Sequence, residues 1–256
     1  MIVKYKESEV FYTEIGKGKS IVLLHGFLEN QSMWNDISEE LSKKNRIITI
    51  DLLGHGKTES VGYVHSMAEM ACAVYTVLKK IGIRKPHFIG HSMGGYVALE
   101  FAKLFPKNVK GLCLMNSTSQ ADSGQRKRIR KEANEIAKKN LEKLLQIAIP
   151  NLFTKDSKEK YLEEIREVLK QAKQTSLRGY IAANEGMLLR VNNEEVLKQI
   201  EKRAIIVGKK DPVLNYISII EEAKRTDTIC IEFPNGHMSH IEDKALLINF
   251  LKNFIK

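Results

Sequence analysis

Short, unbroken apolar runs rich in β-branched residues recur along the chain and alternate with stretches of helical periodicity. A run with no polar alternation reads as a strand buried on both faces, which is the signature of a parallel sheet. Strands are expected at 2–5, 10–15, 21–24, 46–50, 87–89, 111–115, 204–207 and 228–233. The first two alternate and read as an antiparallel pair at one edge. Helices are expected at 33–42, 66–81, 95–105, 216–224 and 244–254. The segment "SMAEMACAVYTVLKKIG" has apolar spacings of three and four and stops at Gly82. Such alternation predicts an α/β fold: a mostly parallel, eight-stranded sheet with helices on both faces.

Between about Gln120 and Asn193 the pattern breaks. No strand is expected there. "RIRKEANEIAKKNLEKLLQIAIPNLF" and "KEKYLEEIREVLKQAKQT" read as amphipathic helices divided at Pro150. The expected organisation is a core of residues 1–119 and 194–256 with a helical cap, 120–193, inserted between two strands.

Composition narrows the function. The net charge is +10, spread over helices without interleaved aromatics, so it reads as a solvated lysine-rich surface and no nucleic-acid partner is expected. The cluster "RKRIRK" at 126–131 reads as a solvated helix face, with attraction of an anionic ligand as the alternative. No apolar run has the length of a membrane span. The start "MIVKYKESEV" alternates like a strand and carries no apolar signal region, so a cytoplasmic location is expected. Cys72, Cys113 and Cys230 lie far apart in apolar stretches without metal-ligand spacing and read as reduced core residues.

The stretch "FIGHSMGGY" carries the chemistry. Its "GHSMG" matches G-x-S-x-G, with a strand directly before it and a helix directly after. In such an elbow the serine occupies a strained turn, and the positions two before and two after it must be small. Gly90 and Gly94 meet that need, leaving the Ser92 hydroxyl above the carboxyl end of the sheet. A nucleophilic serine needs a base, and the base an orienting acid. Asp211 in "IIVGKKDPVLN" and His237 in "NGHMSHIED" each follow a separate strand, in serine–acid–histidine order. Met93 and Phe27 are the expected backbone N–H donors to an oxyanion, the latter from "LLHGFLEN". His25 reads as a packed structural histidine. His240, three residues past His237, is the competing base, but Gly236 lets the loop turn directly before His237.

The blocks "LLHGFLENQSMW", "IDLLGHGKTE", "FIGHSMGGYVALEFAKLFP", "VGKKDPVL" and "NGHMSHIED" occur in the order of the α/β-hydrolase superfamily. Outside the cap they span nearly the whole chain, which resembles the small esterase-like members with a helical cap. The resemblance implies Ser92 as nucleophile, Asp211 as acid, His237 as base, and no cofactor or metal. The chain departs from the family at Thr58, where serine is frequent, and at Arg203, where proline is. Asn116 stands where some relatives keep their acid. Tyr96 stands where a relative in menaquinone biosynthesis has arginine, and serine at 92 argues against dehalogenases and epoxide hydrolases, which carry aspartate there.

Two functions stay open at this point. One is a serine hydrolase of small-molecule carboxylic esters, or of thioesters, working through an acyl-enzyme. The other is a signalling receptor or ligand-binding protein that keeps the triad. Leu152, Phe153, Met187, Leu188 and Leu189 are candidates for an apolar pocket or for ordinary helix packing.

Overall fold

A computed structural model describes residues 1–256. Eight strands form one sheet: β1 (Ile2–Tyr5), β2 (Ser8–Ile15), β3 (Lys19–Leu24), β4 (Asn45–Ile50), β5 (His87–His91), β6 (Gly111–Met115), β7 (Arg203–Gly208) and β8 (Ile229–Phe233). Their spatial order is β1-β2-β4-β3-β5-β6-β7-β8. The pairs β1·β2 and β2·β4 are antiparallel and every other pair is parallel. The expected sheet is therefore present. β5 and β6 are buried at every position because they lie mid-sheet with both faces covered.

The strand period of two sorts the apolar residues onto two faces. Val22, Leu24, Ile48 and Ile50 pack with α2 (Met67–Lys80) and α3 (Met93–Leu104). Ile21, Leu23, Ile47 and Ile89 pack with α1 (Asn35–Ser42) and α11 (Lys244–Phe254). Local signals set the helix ends. Ser66 caps α2 through a 3.1 Å bond from the Glu69 N–H, and Gly82 follows it at φ 71°.

Five helices lie between β6 and β7: α4 (Gly124–Ala148), α5 (Lys155–Lys160), α6 (Leu162–Ala172), α7 (Leu177–Leu188) and α8 (Glu194–Lys198). Two more, α9 (Tyr216–Arg225) and α10 (Ser239–Glu242), lie beyond β7. The second cap helix expected from sequence is two, α5 and α6, broken at Tyr161 with φ −116° and ψ 41°. α4 is itself kinked at Asn140 (φ −161°, ψ 89°), whose side chain accepts from the Lys143 N–H at 2.9 Å and recaps the next turn. Leu145, Ile149, Phe153, Ile165 and Tyr180 of this segment build a separate apolar cluster, joined to the core loops by Leu28 and Met238. The helix expected to begin at Met33 opens instead as a single 3-10 turn, Gln31–Trp34, capped by Asn30. Helix α3 begins at Met93, two residues earlier than the periodicity indicated. All three cysteines are free, with Cys113 buried and the other two half-buried. No helix is long and apolar enough to cross a membrane.

Phe88 is fully buried on β5, its ring 4.6 Å from that of Phe101 in α3. Truncating it leaves a cavity the rigid mid-sheet cannot close. Phe88→Ala is expected to lower stability by about 3–5 kcal/mol, read as a fall in the urea midpoint. A loss below about 1 kcal/mol would contradict this packing.

Candidate active site

The site is assembled at the carboxyl edge of the sheet, from loops that follow β3, β5, β7 and β8. At Ser92, between β5 and α3, the backbone has φ 48° and ψ −113°, a region that side chains rarely adopt. Its N–H donates to the Met115 carbonyl at 3.0 Å, and the Ser117 hydroxyl donates to its own carbonyl at 2.7 Å. A Cβ on Gly90 would lie 2.5 Å from the Gly94 backbone, and one on Gly94 would lie 2.3 Å from the Leu24 carbonyl oxygen. Gly95 is held the same way, since a Cβ there would meet the Ser117 hydroxyl at 2.3 Å. The turn is thus possible only where these side chains are missing.

His237 Nε2 lies 3.1 Å from the Ser92 hydroxyl oxygen, and His237 Nδ1 lies 2.8 Å from Asp211 Oδ2. The aspartate fixes Nδ1 as the protonated nitrogen, which leaves Nε2 free to accept from Ser92. The other Asp211 oxygen accepts from the Val213 and Leu214 N–H groups at 2.8 and 3.0 Å. Burial works to raise the Asp211 pKa, but the imidazole and these N–H donors outweigh it and hold the carboxyl below its usual range. Asn116 donates to both Asp211 Oδ2 at 3.2 Å and the Gly236 carbonyl at 3.0 Å. It stands beside the acid and ties the two loops together.

The loop carrying His237 is pinned elsewhere too. Glu242 accepts from the Met238 N–H at 3.0 Å, and a Cβ on Gly236 would lie 2.9 Å from the Glu242 carboxylate. His240 points away from Ser92: its Nε2 lies 3.7 Å from Glu29, and its ring packs 5.5 Å from His91. Only His237, of the two histidines weighed from sequence, meets the serine.

Sequence reasoning passed over Glu29. It accepts from the Gly26 N–H at 2.7 Å and bonds His91 Nδ1 at 2.6 Å, while His91 Nε2 donates to the His237 carbonyl at 3.0 Å. Burial acts to raise the Glu29 pKa, but His91 overrides it and brings it to about 2. The same pair overcomes desolvation of His91 and raises its pKa. Nothing local in "GFLEN" marks this role, because the partner stands 62 residues away. His25 is packed, as expected, with Nδ1 donating to the Gly26 carbonyl at 2.8 Å and Nε2 accepting from the Leu52 N–H at 2.9 Å. Glu29, His91 and His240 also place three ligand-type atoms within 4.8 Å of one another, but the short His91–Glu29 bond already occupies that space.

Ser92 and His237 open onto a cavity of about 190 Å³. Its lining is mainly apolar, with Phe27, Ile149, Leu152, Met187 and Val213 among the contributors. Of the pocket candidates read from sequence, Leu152 and Met187 face it. Phe153 and Leu188 are buried elsewhere, and Leu189 is 65% exposed. Neither the Phe27 N–H nor the Met93 N–H is bound by a backbone carbonyl. Arg126, read as part of a solvated face, also lines the cavity.

Comparison with known proteins agrees with this fold. Residues 19–244 match the model of the alpha/beta hydrolase fold family, and the chain belongs to that family. A putative 2-succinyl-6-hydroxy-2,4-cyclohexadiene-1-carboxylate synthase of Bacillus subtilis is 31% identical over 58% of this chain and 56% of its own length. An uncharacterised protein of Mycobacterium bovis is 35% identical over 40% of this chain. This chain spans only 30% of that relative's length. Among solved structures, a thermophilic esterase from Thermogutta terrifontis superposes with TM-score 0.90 at 25% identity, covering 97% of this chain and 95% of its own. An enol-lactonase from Burkholderia xenovorans superposes with TM-score 0.91 at 21% identity, covering 99% of each chain, and shares the fold.

Buried histidines make the fold acid-sensitive. Burial drives the pKa of His55 to about 3 and those of His65 and His240 to about 4, below the ordinary 6.5. Between pH 6.5 and about 4 the unfolded chain therefore binds more protons than the folded one. Stability from these groups is complete above 6.5 and lost as pH falls. His25 and His87, also lowered by burial, act in the same sense, and His91, raised by Glu29, opposes them as one group against five. The Tm in scanning calorimetry should fall steadily from pH 7 to 4.5, and a flat Tm across that interval would contradict this assignment.

Proposed function

We propose that this protein is a serine hydrolase of small-molecule carboxylic esters, or thioesters, with Ser92 as nucleophile, His237 as base and Asp211 as the orienting acid. Residues 1–119 and 194–256 form the catalytic core in this reading, and residues 120–193 the cap that roofs the site. The observation that carries it is the unbroken hydrogen-bond relay from Asp211 through His237 to Ser92, at the head of a mainly apolar cavity.

The chemistry follows from the positions. Ser92 Oγ attacks the acyl carbon while His237 Nε2 takes its proton. The carbonyl π electrons move to the oxygen, where the N–H groups of Phe27 and Met93 stabilise the negative charge. When the tetrahedral centre collapses, the bond to the alkoxide or thiolate breaks, and His237 returns the proton to that leaving group. A water, deprotonated by the same nitrogen, then attacks the acyl-enzyme and releases the acid, restoring Ser92. Asp211 stays ionised throughout and balances the imidazolium. His91, held by Glu29, fixes the backbone carbonyl of His237 and so the ring's height above Ser92.

Two experiments test the reading. A fluorophosphonate probe should label the wild-type protein once and Ser92→Ala not at all; equal labelling of both would overturn the nucleophile. Asp211→Asn should keep the fold and lower turnover by up to about 10⁴, the loss seen when a serine-protease aspartate is so changed. Near-normal turnover of 4-nitrophenyl esters by that variant would remove Asp211 from the mechanism. A single stalled turnover on every ester would instead fit the receptor reading.

A further inference from the structure

The cavity beside Ser92 is lined mainly by apolar side chains, but Arg126 and Arg130 of α4 also line it. Arg130 is neutralised: its Nε donates to Asp122 at 2.6 Å and its Nη1 to Asn184 at 3.1 Å. The second oxygen of Asp122 accepts from Arg190 at 2.6 Å, and the Arg190 guanidinium stacks 3.4 Å from the Tyr96 ring centroid. One carboxylate therefore serves two guanidiniums, and none is left for Arg126.

Arg126 makes no ion pair and its guanidinium donates no hydrogen bond. Burial lowers its pKa, and Arg130 and Arg190 act in the same direction, with Asp122 the one carboxylate opposing them. The remaining acids nearby are engaged. Glu29, the only carboxylate on the cavity wall, is held by His91. Glu222 accepts from Thr118, Ser119 and Gln120. Arg126 also borders the adjoining groove formed by Tyr96, Asp122, Arg190 and Val213, so it stands where that groove meets the cavity.

A half-buried guanidinium without a counter-ion, on the wall of a mainly apolar pocket headed by a serine, is a built anion receptor. We infer that the preferred substrate is an ester bearing a carboxylate, which pairs with Arg126 while its apolar chain lies between Ile129, Ile149, Leu152 and Met187. This inference rests on the hydrolase reading for the chemistry, but not for the binding. Arg130 and Arg190, locked on Asp122, hold the local potential positive without competing for the ligand.

The test compares matched ester pairs. One pair is 4-nitrophenyl hydrogen adipate and 4-nitrophenyl hexanoate; the other is the acetate ester of 6-hydroxyhexanoate and hexyl acetate. In each pair the members differ by the terminal charge. For at least one pair, the ratio of kcat/KM for the charged ester to that for the neutral one should fall about tenfold to hundredfold in Arg126→Gln, the range for losing a charged hydrogen bond. Arg126→Lys should restore part of it. Ratios unchanged within twofold for both pairs would overturn the inference. Calorimetric titration of the wild-type protein with adipate and with neutral adipamide decides the binding independently of turnover. Adipate should bind and adipamide should not, with adipate weakened at least tenfold by Arg126→Gln. Equal binding of the two, or no binding of adipate, would overturn it. If no ester is turned over while adipate binding still depends on Arg126, the hydrolase reading fails and the anion site stands.

Discussion

The turn at Ser92 is the constraint on which the rest of the site depends. A residue other than glycine at φ 48° costs on the order of 1–3 kcal/mol unless the surroundings hold it. Here they do. Met115 and Ser117 clamp its peptide groups from β6 and the loop after it. Gly90, Gly94 and Gly95 let α3 start against β3 and β5 with no side chain between. The strain is offset by burial of β5 and α3 against each other, and it leaves a short polar side chain at the head of a buried strand. Moving the serine by one position would turn its hydroxyl into the core.

Around that turn, the same balance recurs between desolvation and pairing. Asp211 and Glu29 are both deeply buried, and for both the cost of burial is overcome by an imidazole, with backbone N–H donors adding to it at Asp211. The two pairs are linked through His237, whose ring faces Asp211 and whose carbonyl faces His91. One chain of charged contacts thus fixes the ring at both ends. His55, His65 and His240, with no carboxylate at hydrogen-bond distance, are held neutral by the same burial.

The helical segment between β6 and β7 supplies the other half of the cavity. Its own apolar cluster, with Leu28 and Met238, rests on the loops after β3 and β8 that position Glu29 and His237. The two parts therefore share contacts, and the wall of the cavity is made by both. The charge distribution at that wall is uneven because the single Asp122 carboxylate is shared by Arg130 and Arg190 and no carboxylate pairs with Arg126.

Local rules made much of this legible. Strand burial, helix spacing and the glycine requirement of a strained turn are properties of short windows, so the sheet, its flanking helices, the elbow and the order Ser92, Asp211, His237 could be read from sequence alone. Loop position after a strand was enough to bring the three residues to one edge, because a parallel sheet sends every strand's carboxyl end the same way. What sequence left open depended on distances between segments far apart in the chain. Gly236 already favours His237 over His240, but the grip of Glu242 and Asn116 on that loop could not be read. Glu29 gains its role only when the fold brings His91 against it. The break at Tyr161 and the kink at Asn140 are local backbone turns that apolar periodicity does not record. Arg126 looks like any solvated arginine in "RKRIRK". Only the folded arrangement shows that the one nearby carboxylate is already taken, because charge neutralisation is a property of spatial neighbours and not of composition.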